Sequence, residues 1–148
     1  MVKTFLLDTN ILMTTEGKVL LGFDDNEVII THTTLEELDH LKTLPGETGY
    51  QARESIRIIN QISEGKMADE DVQSGIKLEN GGTFKLEADN ISAALPSGWS
   101  MERADNRIFR TAKSLSDSES RMVILITNDV SMRIKAEAIG LSGVYKNL

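Results

Sequence analysis

Two aspartates stand where apolar runs stop. Asp8 directly follows the run 2–7, and Asp129 lies just past the run 122–126. Glu36 and Glu37 come shortly after a β-branched run, 27–32, and Asp105 sits near the start of the helical stretch "MERADNRIFRTAKSLSD". Carboxylates brought together at close range are what a hard divalent cation requires, because such ions take several oxygen ligands. The chain has no cysteine and only two histidines, which excludes thiolate sites and an all-histidine zinc site. Any ion here is held mainly by oxygen, which favours Mg²⁺ or Mn²⁺.

Each acid also has a plain structural explanation. Thr33 with Glu36, or Thr34 with Glu37, fits a capping box. Asn128 or Asp129 could cap a helix, and Asp105 could be a first-turn acid favoured by the helix dipole. Taken together these explanations leave one thing over, the acid that ends a buried strand at position 8. Asp89-Asn90 imitates Asp105-Asn106 but lacks a following helix.

The elements that must position these acids follow from periodicity. Strands are expected at 2–7, 27–32 and 122–127, and a short helix at 10–13. Helices are expected over 33–42 and 50–65, the second with Ala52, Ile56, Ile59 and Ile62 on one face and Gly65 at its end. Residues 43–49, with a proline and two glycines, read as a loop, and the acidic stretch 66–75 as an exposed, mobile one. "IKLENGGTFKLE" (76–87) alternates about Asn80-Gly81-Gly82 and reads as a hairpin protruding from the sheet. Residues 88–100 are irregular. Helices follow at 101–117 and 128–140, the latter closed by Gly140, with a last strand at 143–148. Helices alternating with fully apolar strands predict an α/β fold, three layers with a central parallel sheet. In such a sheet ligands sit outside the carboxyl ends of the strands, where at least three of the acids belong.

A length of 148 residues suits one domain, 1–148. No apolar run approaches the ~20 residues of a membrane span, so no membrane partner is expected. The lack of cysteine fits a cytoplasmic protein. The net charge of −7 argues against simple nucleic-acid binding, which needs Lys and Arg to neutralise phosphate. Charge acts locally, however, and a carboxylate cluster neutralised by divalent ions can still meet a phosphate.

"LLDTN", "THTTLEELDHL", "ADNRI" and "ITNDVSMRIKA", in that order and spacing, resemble the PIN-domain nuclease family over residues 3–146. With the "GETG" loop, the "NGG" hairpin and "DNRI" together, the chain resembles in particular the N-terminal PIN module of PhoH-like ATPases. The resemblance implies a small α/β/α fold and cleavage of single-stranded RNA with Mg²⁺ or Mn²⁺. It puts Asp8, Glu37, Asp105 and Asp129 at the acidic positions, and Asn10, Thr127 and Asn128 at the polar positions that orient them. Phosphodiester hydrolysis needs an activated water and a stabilised leaving oxygen, and two ions roughly 3.5–4 Å apart supply both. Asp8 and Asp129 then ligate directly, Glu37 and Asp105 directly or through water, and Thr127 or Asn128 donates to a ligand carboxylate. Arg53, Arg57, Arg107, Arg110 and Arg133 are the candidates to hold substrate. Trp99 is the one notable candidate for base stacking.

The chain departs from the PhoH-like pattern in lacking GxxxxGK[ST], so an ATPase or helicase partner would lie outside it. The match ends where the chain ends, which leans towards an excised domain over a stand-alone protein. A homo-oligomer is compatible with the sequence. Other classes fit less well. A receiver domain needs a paired acid beside Asp8 and a lysine after the last long strand. A haloacid-dehalogenase-like phosphatase needs an acid at position 10, which is Asn. A catalytically silent interaction module would tolerate losing any one acid.

Overall fold

Apolar strand residues alternate between two cores in the computed structural model, which describes residues 2–119 and 122–145. The strands are β1 (Thr4–Leu7), β2 (Glu27–Thr31), β3 (Ile76–Lys77), β4 (Thr83–Glu87), β5 (Val123–Thr127) and β6 (Ser142–Tyr145). The helices are α1 (Thr9–Thr14), α2 (His32–Leu41), α3 (Gly46–Glu64), α4 (Ala104–Glu119) and α5 (Val130–Ala138). Leu7, Val28, Ile30, Phe84 and Ile126 pack under α1, α2 and α3, against Ile11, Leu12, Leu38 and Ala52. Leu6, Ile29, Val123 and Leu125 face the other way, onto Ile108, Phe109 and Ala112 of α4 and Met132 and Ala136 of α5. Period-two alternation with both faces apolar is why these strands read as unbroken runs. The result is the three-layer α/β/α arrangement the periodicity implies.

The sheet order is β3-β4-β2-β1-β5-β6, with every pairing parallel except β3 to β4. β2 and β4 lie to one side of β1, and β5 and β6 to the other. The chain therefore changes direction across the sheet at β1, and a crevice opens beyond its carboxyl end. Asp8 is the residue at that point.

The hairpin is present but does not protrude. Its second strand pairs parallel with β2 over five residues, from Glu27↔Thr83 to Thr31↔Glu87, so the hairpin is the edge of the main sheet. The tight turn needs its glycines. Gly81 has φ +89°, and a Cβ on Gly82 would run into the backbone carbonyls of Asp24 and Asn26.

The stretch 43–49 is helical from Gly46, so α3 begins four residues earlier than its periodicity suggests. Gly49 lets that first turn lie directly on the Leu44 carbonyl, where any Cβ would collide with backbone. Gly49→Ala should therefore cost about 3 kcal/mol or more, read as a lower urea midpoint at unchanged slope. Residues 66–75 are laced rather than loose. Glu70 accepts from the Met67 and Lys77 amides, and Asp71 from those of Gln73 and Ser74.

The start of α2 uses neither expected capping box. Thr31, the last residue of β2, caps it by accepting from the Thr34 amide at 3.1 Å. The last strand runs Ser142–Tyr145, and residues 146–148 of the expected strand lie outside the described residues. Among the described residues no helix is long and apolar enough to cross a membrane.

Candidate active site

Three parallel strands deliver their following residues to one edge. β1 leads into Asp8, β2 into α2 with Glu37 in its second turn, and β5 into Asp129. α4 brings Asp105 to the same place in its first turn. All four acids line one cleft of about 360 Å³, together with Thr9, Asn10 and Arg103. Glu36 is turned away and pairs with His32 on the surface.

Asp8 is the buried acid of the group, 5% exposed. Burial pushes its carboxyl up from 3.8 to about 6. The Thr127 hydroxyl, donating to Oδ2 at 2.9 Å, and the amides of Thr9 and Asn10 favour the charged form but do not offset desolvation, and the Glu37 carboxylate raises Asp8 further. No cation among the described residues neutralises it, so Asp8 is an anion held in a place that disfavours anions. That condition invites a bound cation.

Thr127 links two acids. While its hydroxyl donates to Asp8, its oxygen accepts from the Asp129 amide at 3.0 Å. Asp129 in turn caps α5, accepting from the Ser131 amide at 2.9 Å. Thr127→Val should remove both contacts and lower stability by about 1–3 kcal/mol, while also weakening any cation held at Asp8. Urea unfolding and a Mn²⁺ titration of the same variant check the two effects.

Glu37 is oriented by a threonine relay. Its Oε1 accepts from the Thr9 hydroxyl at 2.6 Å. Because Thr9 gives its only hydroxyl proton to Glu37, Thr34 must donate across the 3.0 Å Thr9–Thr34 contact. Thr31 then donates to Thr34 at 3.3 Å. Three buried hydroxyls pointing one way polarise each other and fix the carboxylate. Thr9, Thr31 and Thr34 are not among the site candidates read from the sequence, where Thr34 figures only as a possible helix cap for Glu37; their only signal there is the threonines flanking each acidic motif.

Asp105 is in a different state. Burial pushes it up, but Arg103 and Lys135 outweigh that and hold it below the usual carboxylate range. Arg103 donates to Oδ1 at 3.1 Å and to Oδ2 at 3.2 Å, and Lys135 donates to Oδ2 at 3.2 Å.

The remaining candidates are placed elsewhere. Asn10 lines the cleft with an exposed side chain. Asn128 does not reach an acid; its amide donates to Thr14 at 2.9 Å and ties the end of β5 to α1. None of the five arginines proposed for substrate lines the cleft. Arg53 donates to the Lys42 and Leu44 carbonyls, and Arg57 to Glu54. Arg107 donates to the Met101 and Glu102 carbonyls, and Arg133 to Glu137. Arg110 has its Nε buried without a hydrogen-bond partner. Four of these five cations settle on an acceptor close to them in the chain. Trp99 is no free stacking platform, since it packs edge-on to Phe109 at 5.7 Å with Lys135 over its ring at 4.9 Å.

A profile of the PIN domain matches residues 5–145, a span that contains all four acids. The chain belongs to the PIN-domain family. PIN domains are generally nucleases, and generally use divalent metal ions. This PIN domain is 36% identical to the protein named PhoH2 of Bacillus subtilis over 147 residues, covering 95% of this chain and 32% of the relative. The PhoH2 proteins of Thermobispora bispora and Mycolicibacterium smegmatis are 32% and 30% identical, with 95% of this chain and 31% of each relative covered. The chain thus spans about a third of the length of the curated relatives it matches. A solved domain of a functionally unknown protein from Methanocaldococcus jannaschii superposes with a TM-score of 0.63 at 21% identity, covering 99% of this chain and 93% of that one, which supports the fold.

The donor set of this PIN domain fits a divalent ion in part. The cleft acids are all oxygen donors, and the one buried among them has no neutralising partner among the described residues. Among the described residues, however, no three of the His, Asp and Glu side chains stand close enough together to hold one ion by themselves. Asp8 and Glu37 are the pair that feel each other's charge. A divalent ion would be held at this pair, with Asp129 and Asp105 on the same cleft and water completing its ligands.

Proposed function

We propose that this PIN domain is a Mg²⁺- or Mn²⁺-dependent endoribonuclease that hydrolyses phosphodiester bonds of single-stranded RNA. The observation that carries this reading is Asp8, a buried carboxylate pushed up to about 6 at the switch point of the sheet, facing Glu37 across a cleft it shares with Asp105 and Asp129.

A divalent ion, when bound, supplies a lowered pKa for the attacking water and positive charge opposite the leaving oxygen. The chain's own residues supply orientation. Thr127 holds Asp8 and the backbone of Asp129 in one frame. The Thr31–Thr34–Thr9 relay presents Glu37 with a fixed rotamer, so no carboxylate must reorganise as charge develops. A cleft of about 360 Å³ suits one phosphodiester with a neighbouring group, and a duplex would present its phosphates too rigidly to enter.

The test is cleavage of end-labelled RNA, single-stranded and duplex, with Mn²⁺ or EDTA. Single strands should be cut internally, duplex at least about tenfold more slowly, and EDTA should stop both, since ion removal takes away the attacking water's activation. Equal cutting in EDTA would contradict the reading.

A second reading is a module that is silent alone and active or RNA-binding only beside an ATPase partner. Two observations favour it: Asp105 is already neutralised by two cations, and the chain spans only a third of its PhoH2 relatives. Failure of the isolated chain to cut any RNA, with metal binding intact, would move the assignment there.

A further inference from the structure

Arg103 is the one cation among the described residues that line the acidic cleft. Its guanidinium clasps Asp105 through Nε and Nη2, at 3.1 and 3.2 Å, yet the side chain is 68% exposed. Among the described residues it makes no other side-chain hydrogen bond. Lys135 meets the same carboxylate but is anchored: it is 25% exposed, bonds Asn106 Oδ1 at 2.7 Å, and lies between the Trp99 and Phe109 rings at 4.9 and 5.4 Å. One of the two cations on Asp105 is therefore fixed and the other is free to swing. Exposed ion pairs are weak, and a divalent ion approaching the acids competes with Arg103 for the same oxygens.

We propose that Arg103 and the divalent cation compete for Asp105, and that Arg103, once displaced, binds the backbone phosphate of the RNA. This rests on the metal-dependent ribonuclease reading. The planar fork that now grips a carboxylate matches a phosphate equally well, and no other described residue lining the cleft is a cation. None of the other arginines considered for substrate lines the cleft, so phosphate recognition falls to this side chain. Metal and RNA binding are then coupled, each favouring the other, because the ion releases the residue that holds the phosphate.

The coupling predicts opposite effects from one substitution. In Arg103→Gln the competitor is gone, so the Mn²⁺ concentration at half-maximal thermal shift should fall about threefold. The same variant should bind labelled single-stranded RNA about tenfold more weakly, read by stopped-flow anisotropy in Mn²⁺ before cleavage sets in. Arg103→Lys keeps the charge but loses the fork, and should lie between the two in RNA affinity. A merely structural role for Arg103 would weaken both ligands or neither. If wild type shows its Mn²⁺ shift and Arg103→Gln matches it in both measurements, or weakens both, the proposal is overturned while the ribonuclease reading stands. If wild type shows no Mn²⁺ shift at all, the ribonuclease reading fails and takes this proposal with it.

Discussion

Asp8→Asn should make the metal-free protein more stable at neutral pH, by up to about 3 kcal/mol, the free energy equivalent of raising a carboxyl from 3.8 to about 6. For a chain of 148 residues that is a rise in Tm of roughly 6–12 °C. The amide keeps an oxygen to accept from Thr127 and loses only the charge that burial disfavours. The sign of the pH dependence follows from the same shift. The folded state binds the Asp8 proton more tightly than the unfolded chain does, so this group favours folding at low pH. Its contribution declines as pH rises from about 4 to about 6 and is gone above that. The difference in stability between variant and wild type should therefore be near zero at pH 3.5, widen through that window and stay flat from pH 7 upward. Other carboxylates contribute equally to both proteins and cancel. A wild type that is as stable as the variant at pH 7.5 would mean that Asp8 is solvated or paired in a way the structure does not contain.

The second large effect is on cleavage. Asp8→Asn and Asp129→Asn should each lower the rate by roughly a thousandfold or more, and the double variant should be little worse than either, because groups that hold one centre act as a unit. Asp105→Asn should cost much less, about tenfold, since Lys135 stays on that carboxylate after Arg103 is displaced and offsets much of its charge. Glu37→Gln retains an oxygen for the Thr9 hydroxyl, so any loss reports the charge rather than the rotamer. Single-turnover rates on one labelled RNA give all five values. An additive double variant, or an Asp105→Asn effect as large as that of Asp8→Asn, would break the division of roles among the four acids.

Much of this architecture is visible in the residues before any coordinates. The runs around Leu6, Ile29 and Leu125 are apolar on both faces, and only a doubly covered parallel sheet leaves that trace. An acid directly after such a run has to lie at the carboxyl edge, which is why Asp8 and Asp129 could be placed. The hairpin was harder. An Asn-Gly turn specifies that two segments fold back, and says nothing of the neighbour the second one finds; β4 joins β2 through pairing across some fifty residues of chain. The start of α3 was hidden because glycine and proline suggest a loop, whereas Gly49 is there for the close approach of Leu44. Arginines disclose charge in a sequence but not their partner, and four of the five chosen for substrate settle on nearby carbonyls and carboxylates. Arg103 falls inside the helix expected at 101–117 but precedes the observed one by a residue, and its clasp on Asp105 leaves no periodic trace in the sequence. The threonine relay is invisible for a related reason: Thr31, Thr34 and Thr9 each have a routine local role, and only the fold aligns them on Glu37.

The most direct measurement is thermal unfolding of wild type and Asp8→Asn at pH 7.5, each without metal and with Mn²⁺ at about a hundred times its half-maximal concentration. At that occupancy a bound ion adds about 2.7 kcal/mol, or roughly 5–11 °C for a domain of this size. Wild type should rise by that amount, and Asp8→Asn, already more stable without metal, should not move. A wild type indifferent to Mn²⁺, or an equal rise in both proteins, would mean that the cleft around Asp8 is not where the ion binds.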